Sequence, residues 1–304
     1  MFHSSSTNRS LFCKEAVAWK HLRHPNILPL LGATLREHEL CLISEWMDQG
    51  NIKQYLKRKE NSELNRIELL VEVVDGLSYM HGLQVVHGNL KGANIYIKNF
   101  HVCIADFGVS TIARHESWVG TDTMSTPSLV SFTLGGNIRW MSPELLDPPR
   151  FNAPDPRPTK ESDRFALGMV IYEVLCGKIP YDGWDIDRIN DAILKGIRPY
   201  RPKAATHLGL FDELWDILQR CWDERSEVRP ELHIIRACLD EVTPMWHARK
   251  HMPLISADDA ASLYPSSQYS HSLSTSTPSR SPAPSDPSPS PVPSYFQSRY
   301  SDPQ

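Results

Sequence analysis

Apolar residues recur at helical spacing along most of the chain up to Met252, broken in one place by two short apolar runs. Between Lys14 and Leu22, the positions Val17, Ala18 and Leu22 predict a helix. It ends at His24-Pro25, because a residue before proline is pushed out of the α region. Ile27 to Ala33 and Glu39 to Ser44 are the two apolar runs. The polar Arg36-Glu37-His38 between them predicts a strand hairpin. Asn51 to Lys59 and Ile67 to His81 read as helices, the second with Leu69, Leu70, Val73, Val74 and Leu77 on one face. Beyond Glu144 the helical pattern returns. Arg164 to Cys176 is mostly apolar and predicts a buried central helix. Ile186 to Leu194, Phe211 to Cys221 and Leu232 to Val242 are amphipathic. A small two-stranded region followed by a helix-rich body is an α+β arrangement.

Composition changes that picture at one end. From residue 252 to 304, Ser and Pro dominate, and such a segment buries too little apolar surface to offset its ordering entropy. It is expected to be a disordered tail. Before it, a chain of 304 residues has room for one large domain or two small ones. The formal charge of −4 gives no electrostatic case for nucleic acid or an anionic membrane. Six cysteines without a CxxC pair predict reduced, mostly buried thiols, and the thirteen histidines show no metal-binding spacing. The N-terminal segment is polar, and no run is long and apolar enough to span a bilayer. The expectation is a soluble intracellular protein, cytoplasmic or nucleocytoplasmic.

The chemistry lies in a set of motifs that keep a fixed order. His87-Gly88-Asn89-Leu90-Lys91-Gly92-Ala93-Asn94 is followed by Asp106-Phe107-Gly108. Upstream stand Glu15 and Glu45-Trp46-Met47. Downstream come Met141-Ser142-Pro143-Glu144, then Asp163 in Ser162-Asp163-Arg164-Phe165, then Arg229-Pro230. From about Leu11 to about Pro244 this set resembles the protein kinase family. Trp140 and Cys221-Trp222 resemble its tyrosine-kinase-like serine/threonine group. The resemblance implies a kinase-like fold with a helix-rich large lobe (48–244). The small lobe and hinge (11–47) would be reduced to the αC helix and the family's fourth and fifth strands, behind a polar segment (1–10).

By the same resemblance, Asp106 and Asn94 would offer oxygen to Mg²⁺, and Lys91 would neutralise charge on a transferred phosphoryl group. The place of Lys91, two residues after the base position, favours serine/threonine substrates. Glu45 and Met47 would form the hinge that meets ATP, with His87 in the catalytic loop. Glu15 would be the αC glutamate and Asp163 the anchor of the catalytic loop. Glu144 and Arg229 would make a buried ion pair.

Several departures bear on activity. Asn89 occupies the position of the catalytic aspartate, and a carboxamide takes no proton near neutral pH. A positioned general base is commonly worth about 10²–10⁴-fold. Residues 1–14 hold neither the glycine-rich loop nor the third-strand lysine that the family places before αC, so Mg-ATP binding is expected to be weak or absent. The resulting expectation is a pseudokinase acting as scaffold or allosteric partner. The alternative is an active serine/threonine kinase of which this chain is a truncated or mis-started reading. Gly88 replaces an arginine that receives a phosphorylated activation loop, so that switch is expected to be absent. Asn137 stands where a threonine usually contacts the catalytic aspartate. The activation segment, with Thr121, Thr123, Ser125 and Thr126, reads as a polar loop ahead of a phospho-switch. In the tail, Pro284-Ser285-Asp286-Pro287 is a PxxP segment able to meet an SH3-type groove.

Overall fold

The long helices are set by caps as much as by apolar faces. A computed structural model describes residues 15–36, 39–107, 111–112, 137–151 and 157–250. Residues 1–14, Gly108, the Ser/Thr-rich part of the activation segment and the Ser/Pro-rich tail lie outside the described residues. Helix α1 (15–20) buries Trp19 and, just past its end, Leu22. The Trp19 indole N–H donates to the Leu28 carbonyl at 2.5 Å. Strands β1 (Leu30–Arg36) and β2 (Glu39–Ser44) form the expected antiparallel hairpin. Its first strand begins later than the apolar run does. Ile27 is instead a single bridge to Ile104, which ties this small region to the body below.

Helix α2 (Ile52–Leu56) starts at a reciprocal cap: the Asn51 side chain accepts from the Gln54 N–H, and the Gln54 side chain from the Asn51 N–H. Helix α3 (Arg66–Gly82) is capped by Asn65 and buries Leu70, Val73, Val74 and Leu77 completely. Strand β3 (Val85–Val86) pairs with β6 (Thr111–Ile112), and β4 (Ile95–Lys98) pairs with β5 (His101–Ile104). A two-residue turn, Asn99-Phe100, joins the latter pair, with both residues at positive φ as a tight hairpin requires.

Beyond the short helix α4 (Pro143–Leu146), helix α5 (Lys160–Cys176) is the buried central element. It opens on a second reciprocal cap, Thr159 with Ser162, and closes on Gly177 in the left-handed conformation. Every residue from Ser162 to Leu175 is buried. At Gly168 the fit is tight, since a Cβ there would lie 2.8 Å from both Cys221 Cβ and the Trp222 indole nitrogen. Helices α6 (Ile186–Leu194), α7 (Asp212–Cys221) and α8 (Leu232–Lys250) complete the body. Helix α8 lies along α3 and α7. The expected end near Pro244 is corrected: the helix runs through it. Proline removes one main-chain N–H. Thr243 Oγ1 donates to Leu239 O at 2.8 Å just before it, and Trp246 packs on the core just after it. Cys103, Cys221 and Cys238 are buried thiols, each pushed up by burial, to about 11, 12 and 11. No described helix is long and apolar enough to cross a membrane.

Candidate active site

The site is one loop between β3 and β4, faced by the turn that follows β5. The main-chain entry is pinned from beneath by Asp163 of α5, which is fully buried. Its Oδ2 accepts from the His87 N–H and from His81 Nε2, and its Oδ1 from the Gly88 N–H, each at 2.8 Å. His87 is itself buried. Nδ1 accepts from the Asn89 N–H at 3.1 Å, so the ring proton belongs on Nε2, which lies 3.1 Å from the Ala105 carbonyl. Burial pushes its pKa down, against the pull of Asp163, so this imidazole is a neutral brace and not an acid.

Ahead of that brace, three side chains converge. Asn89 Nδ2 donates to Asp106 Oδ2 at 2.9 Å, and Asn94 Nδ2 donates to the same oxygen at 2.9 Å and to the Asn89 carbonyl at 2.9 Å. Asp106 adopts φ 69°, and behind it Phe107 is fully buried between Trp19 and His87. Glu15 of α1 is close enough that Asp106, together with burial as the larger cause, raises its carboxyl pKa. Helix α1 and the turn at Asp106 are therefore brought together. The carboxylate of Asp106 and the carboxamide of Asn94 are hard-oxygen donors on adjoining segments. That set fits a Mg²⁺ ion that keeps its remaining positions for water and phosphate. Among the described residues no group of three or more His, Cys, Asp or Glu forms another metal site.

Lys91 points elsewhere. Its ammonium is hydrogen-bonded to Asn137 Oδ1, at the end of the activation segment. Burial lowers its pKa, while Asp106 and Glu173 work to raise it. At the hinge, Glu45 pairs with Lys98 of β4, and the Met47 carbonyl accepts the Gly50 N–H at 3.1 Å. Glu144 and Arg229 form the expected two-pronged pair, at 2.6 and 2.7 Å, and Arg229 also donates to the carbonyls of Asp223 and Glu161.

Two further residues were not singled out from sequence. Glu173 of α5 accepts the Gly92 N–H at 3.0 Å and the Trp140 indole N–H at 3.1 Å, and lies 3.5 Å from Lys53 of α2. One carboxylate thus joins the catalytic loop, the end of the activation segment and the helix after the hinge. Burial raises its pKa. Its signal was a lone acid inside the apolar run Met169 to Leu175. Arg139 donates to the carbonyls of Pro180, Tyr181 and Trp184, at 2.6–2.9 Å, and no local pattern pointed to it.

A buried aspartate under a His-x-Asn loop, a metal-binding turn facing it and a stapled activation segment together define the protein kinase architecture. The chain belongs to the protein tyrosine and serine/threonine kinase family, whose pattern matches residues 2–239. It is similar to the serine/threonine-protein kinase STY46 of Arabidopsis thaliana, 31% identical over 235 residues, which covers 76% of this chain and 37% of that protein. The serine/threonine-protein kinase STY17 of the same plant is 28% identical over 76% of this chain and 37% of its own length. The tyrosine-protein kinase Btk of Drosophila melanogaster is 24% identical over 77% of this chain and 28% of its own length. The chain spans 28–37% of the length of these relatives.

Proposed function

We propose that this domain keeps the kinase scaffold but transfers phosphate poorly or not at all, and serves as a scaffold or allosteric partner of other proteins. One observation carries the reading. The side chain at the base position is a carboxamide whose nitrogen is turned onto Asp106, so it neither accepts a proton nor faces an incoming hydroxyl with a basic oxygen. Lost base catalysis of this kind is commonly about 10²–10⁴-fold. Asp106 and Asn94 would hold Mg²⁺, which when bound supplies charge neutralisation at the nucleotide phosphates. Lys91 would do the same at the transferred group once released from Asn137. We expect metal and nucleotide to be held weakly, because one oxygen of the single facing carboxylate already accepts two N–H groups. A protein partner completes the proposal, and the PxxP segment of the tail is a place where an SH3-type groove would engage.

A second reading, an active serine/threonine kinase acting on protein hydroxyls, draws on the remaining loop. His87, Lys91, Asn94, Asp106 and Asp163 are all in register, and a dissociative transition state asks little of a base. The test is phosphate transfer from Mg-ATP to a general serine/threonine substrate by the purified chain. Transfer is expected to be at least about 10²-fold slower than by an active member of the family under the same conditions. A comparable rate would establish the second reading.

A further inference from the structure

Asp106 sits at φ 69°, in the left-handed region that a side chain with a Cβ enters only at a cost. The surrounding contacts must hold it there. On one side Ala105 gives its N–H to the Asn94 carbonyl at 2.9 Å and its carbonyl to His87 Nε2 at 3.1 Å. On the other, the Phe107 ring is buried with its centroid 5.3 Å from Trp19 and 5.7 Å from His87. Trp19 belongs to α1, so the seated turn also fixes the helix that carries Glu15. Between these two anchors, the Asp106 carboxylate itself is held by the amide donors of Asn89 and Asn94.

The identity of residue 89 decides the sign of that contact. An aspartate there, as in the family's pattern, would set an anionic oxygen where Asn89 Nδ2 now lies, 2.9 Å from Asp106 Oδ2. Two carboxylate oxygens at that distance repel unless a cation or a shared proton comes between them. The Glu15 carboxyl is coupled to Asp106 as well, and burial together with that charge raises its pKa. The ammonium of Lys91 is engaged with Asn137. A carboxamide has the same shape as a carboxylate but presents a donor, so repulsion becomes a hydrogen bond. We propose that the Asn89 carboxamide does the work of a cation, keeping Asp106 and the Phe107 plug seated in metal-free protein. In this reading Asn89 is a positioning residue, and the substitution that removes a base also frees the resting conformation from dependence on metal.

The proposal rests on the functional reading of position 89 as lacking a base, yet the two fail separately. Phosphate transfer by the unmodified chain would sink the functional reading, whereas thermal midpoints of nucleotide-free protein test the clamp. Three forms of the whole chain are compared in EDTA and in millimolar Mg²⁺: unmodified, Asn89→Asp, and the exchange Asn89→Asp with Asp106→Asn. The unmodified chain should shift by less than about 1 °C on adding Mg²⁺. The single variant should melt about 3–6 °C lower in EDTA and regain at least half of that with Mg²⁺. The exchange puts an N–H opposite a carboxylate again, with the roles reversed, but gives up the bond from Asn94 Nδ2 that the same oxygen of Asp106 accepts. It should recover at least half of the loss in EDTA and lose the Mg²⁺ response. Amide hydrogen exchange over residues 102–107 should be faster in the single variant, and Mg²⁺ should slow it there alone.

If Asn89→Asp yields no folded protein, the exchange decides. A folded exchange chain with a cooperative melt supports the clamp, and failure to fold overturns it. An Asn89→Asp chain as stable in EDTA as the unmodified one, or an equal Mg²⁺ response in both, overturns it as well.

Discussion

Replacing Asp163 with alanine should unseat the catalytic loop, and the size of the effect follows from what its carboxylate holds. Three donors converge on it at 2.8 Å: the imidazole of His81 and the main-chain N–H groups of His87 and Gly88. A hydrogen bond to a charged group contributes about 1.5–3 kcal/mol, so the three together bound the loss at about 4.5–9 kcal/mol. Gly88 is only half-buried, so water can reach its N–H and replace part of that bond. The expectation therefore sits near the lower end, at about 4.5 kcal/mol. For a domain of this size each kcal/mol lowers the midpoint by about 2–4 °C, which gives a fall of about 10 °C. Urea unfolding followed by tryptophan fluorescence measures the loss directly, with the denaturant slope unchanged if the folded and unfolded ensembles are otherwise alike. Asp163→Asn keeps an oxygen for some of the donors but sets its own N–H against another, so it should fall between the two. A loss under about 1 kcal/mol for the alanine variant would refute the reasoning. It would mean that the His87 ring, through Ala105 and Asn89, holds the loop without help from α5.

Arg229→Met should cost about 3–5 kcal/mol in the same assay, because it leaves Glu144 buried without its partner; a cost below about 1 kcal/mol would show that water reaches that carboxylate. Acidification should destabilise the fold through His87. Its folded pKa lies below the ordinary value of 6.5, so its contribution is fully present above that pH. It is lost at up to about 1.4 kcal/mol per pH unit as pH falls toward the folded value, since the unfolded chain takes up the proton first. Glu173 and Glu15, both raised, act in the opposite sense, from their folded values down to the ordinary value near 4.5, where the gain is complete. Comparison with His87→Asn over pH 5.5–7.5 isolates the histidine, and parallel profiles for the two chains would exclude it as the source.

The helices were legible because their apolar spacing and their caps agree. Ile186 to Leu194 begins and ends where its periodicity does, behind the Asp185 cap, and buries Ile189, Ala192 and Ile193. The pairs β3–β6 and β4–β5 were not legible. Strands of two to four residues are too short to show alternation, and their pairing comes from tertiary contact. The helix expected over Leu232 to Val242 was drawn short for a related reason. It continues through Pro244, where the packing of Trp246 on the core outweighs the one hydrogen bond that proline removes. In the site, the motif order was enough to bring His87, Asn94, Asp106 and Asp163 to one place, and Glu144 to Arg229. The partners of Lys91, Glu173 and Arg139 were beyond reach, since each bonds to a residue or main-chain group distant in sequence.

Taken singly, Asn89 and Asn137 are two unrelated departures from the family's pattern. In the structure they are joined through Lys91. The loop lysine needs an acceptor, and with a neutral side chain at position 89 the nearest carboxylate of that loop is gone. Asn137 supplies a carboxamide oxygen to the ammonium, while Asn89 turns its own nitrogen to Asp106. Each charged group of the site thus keeps a neutral amide partner: Lys91 has Asn137, and Asp106 has Asn89 and Asn94. Both charges are therefore hydrogen-bonded without nucleotide, metal or substrate. Restoring an aspartate at 89 would therefore disturb Lys91 as well as Asp106. The two asparagines belong to one rearrangement of hydrogen bonds.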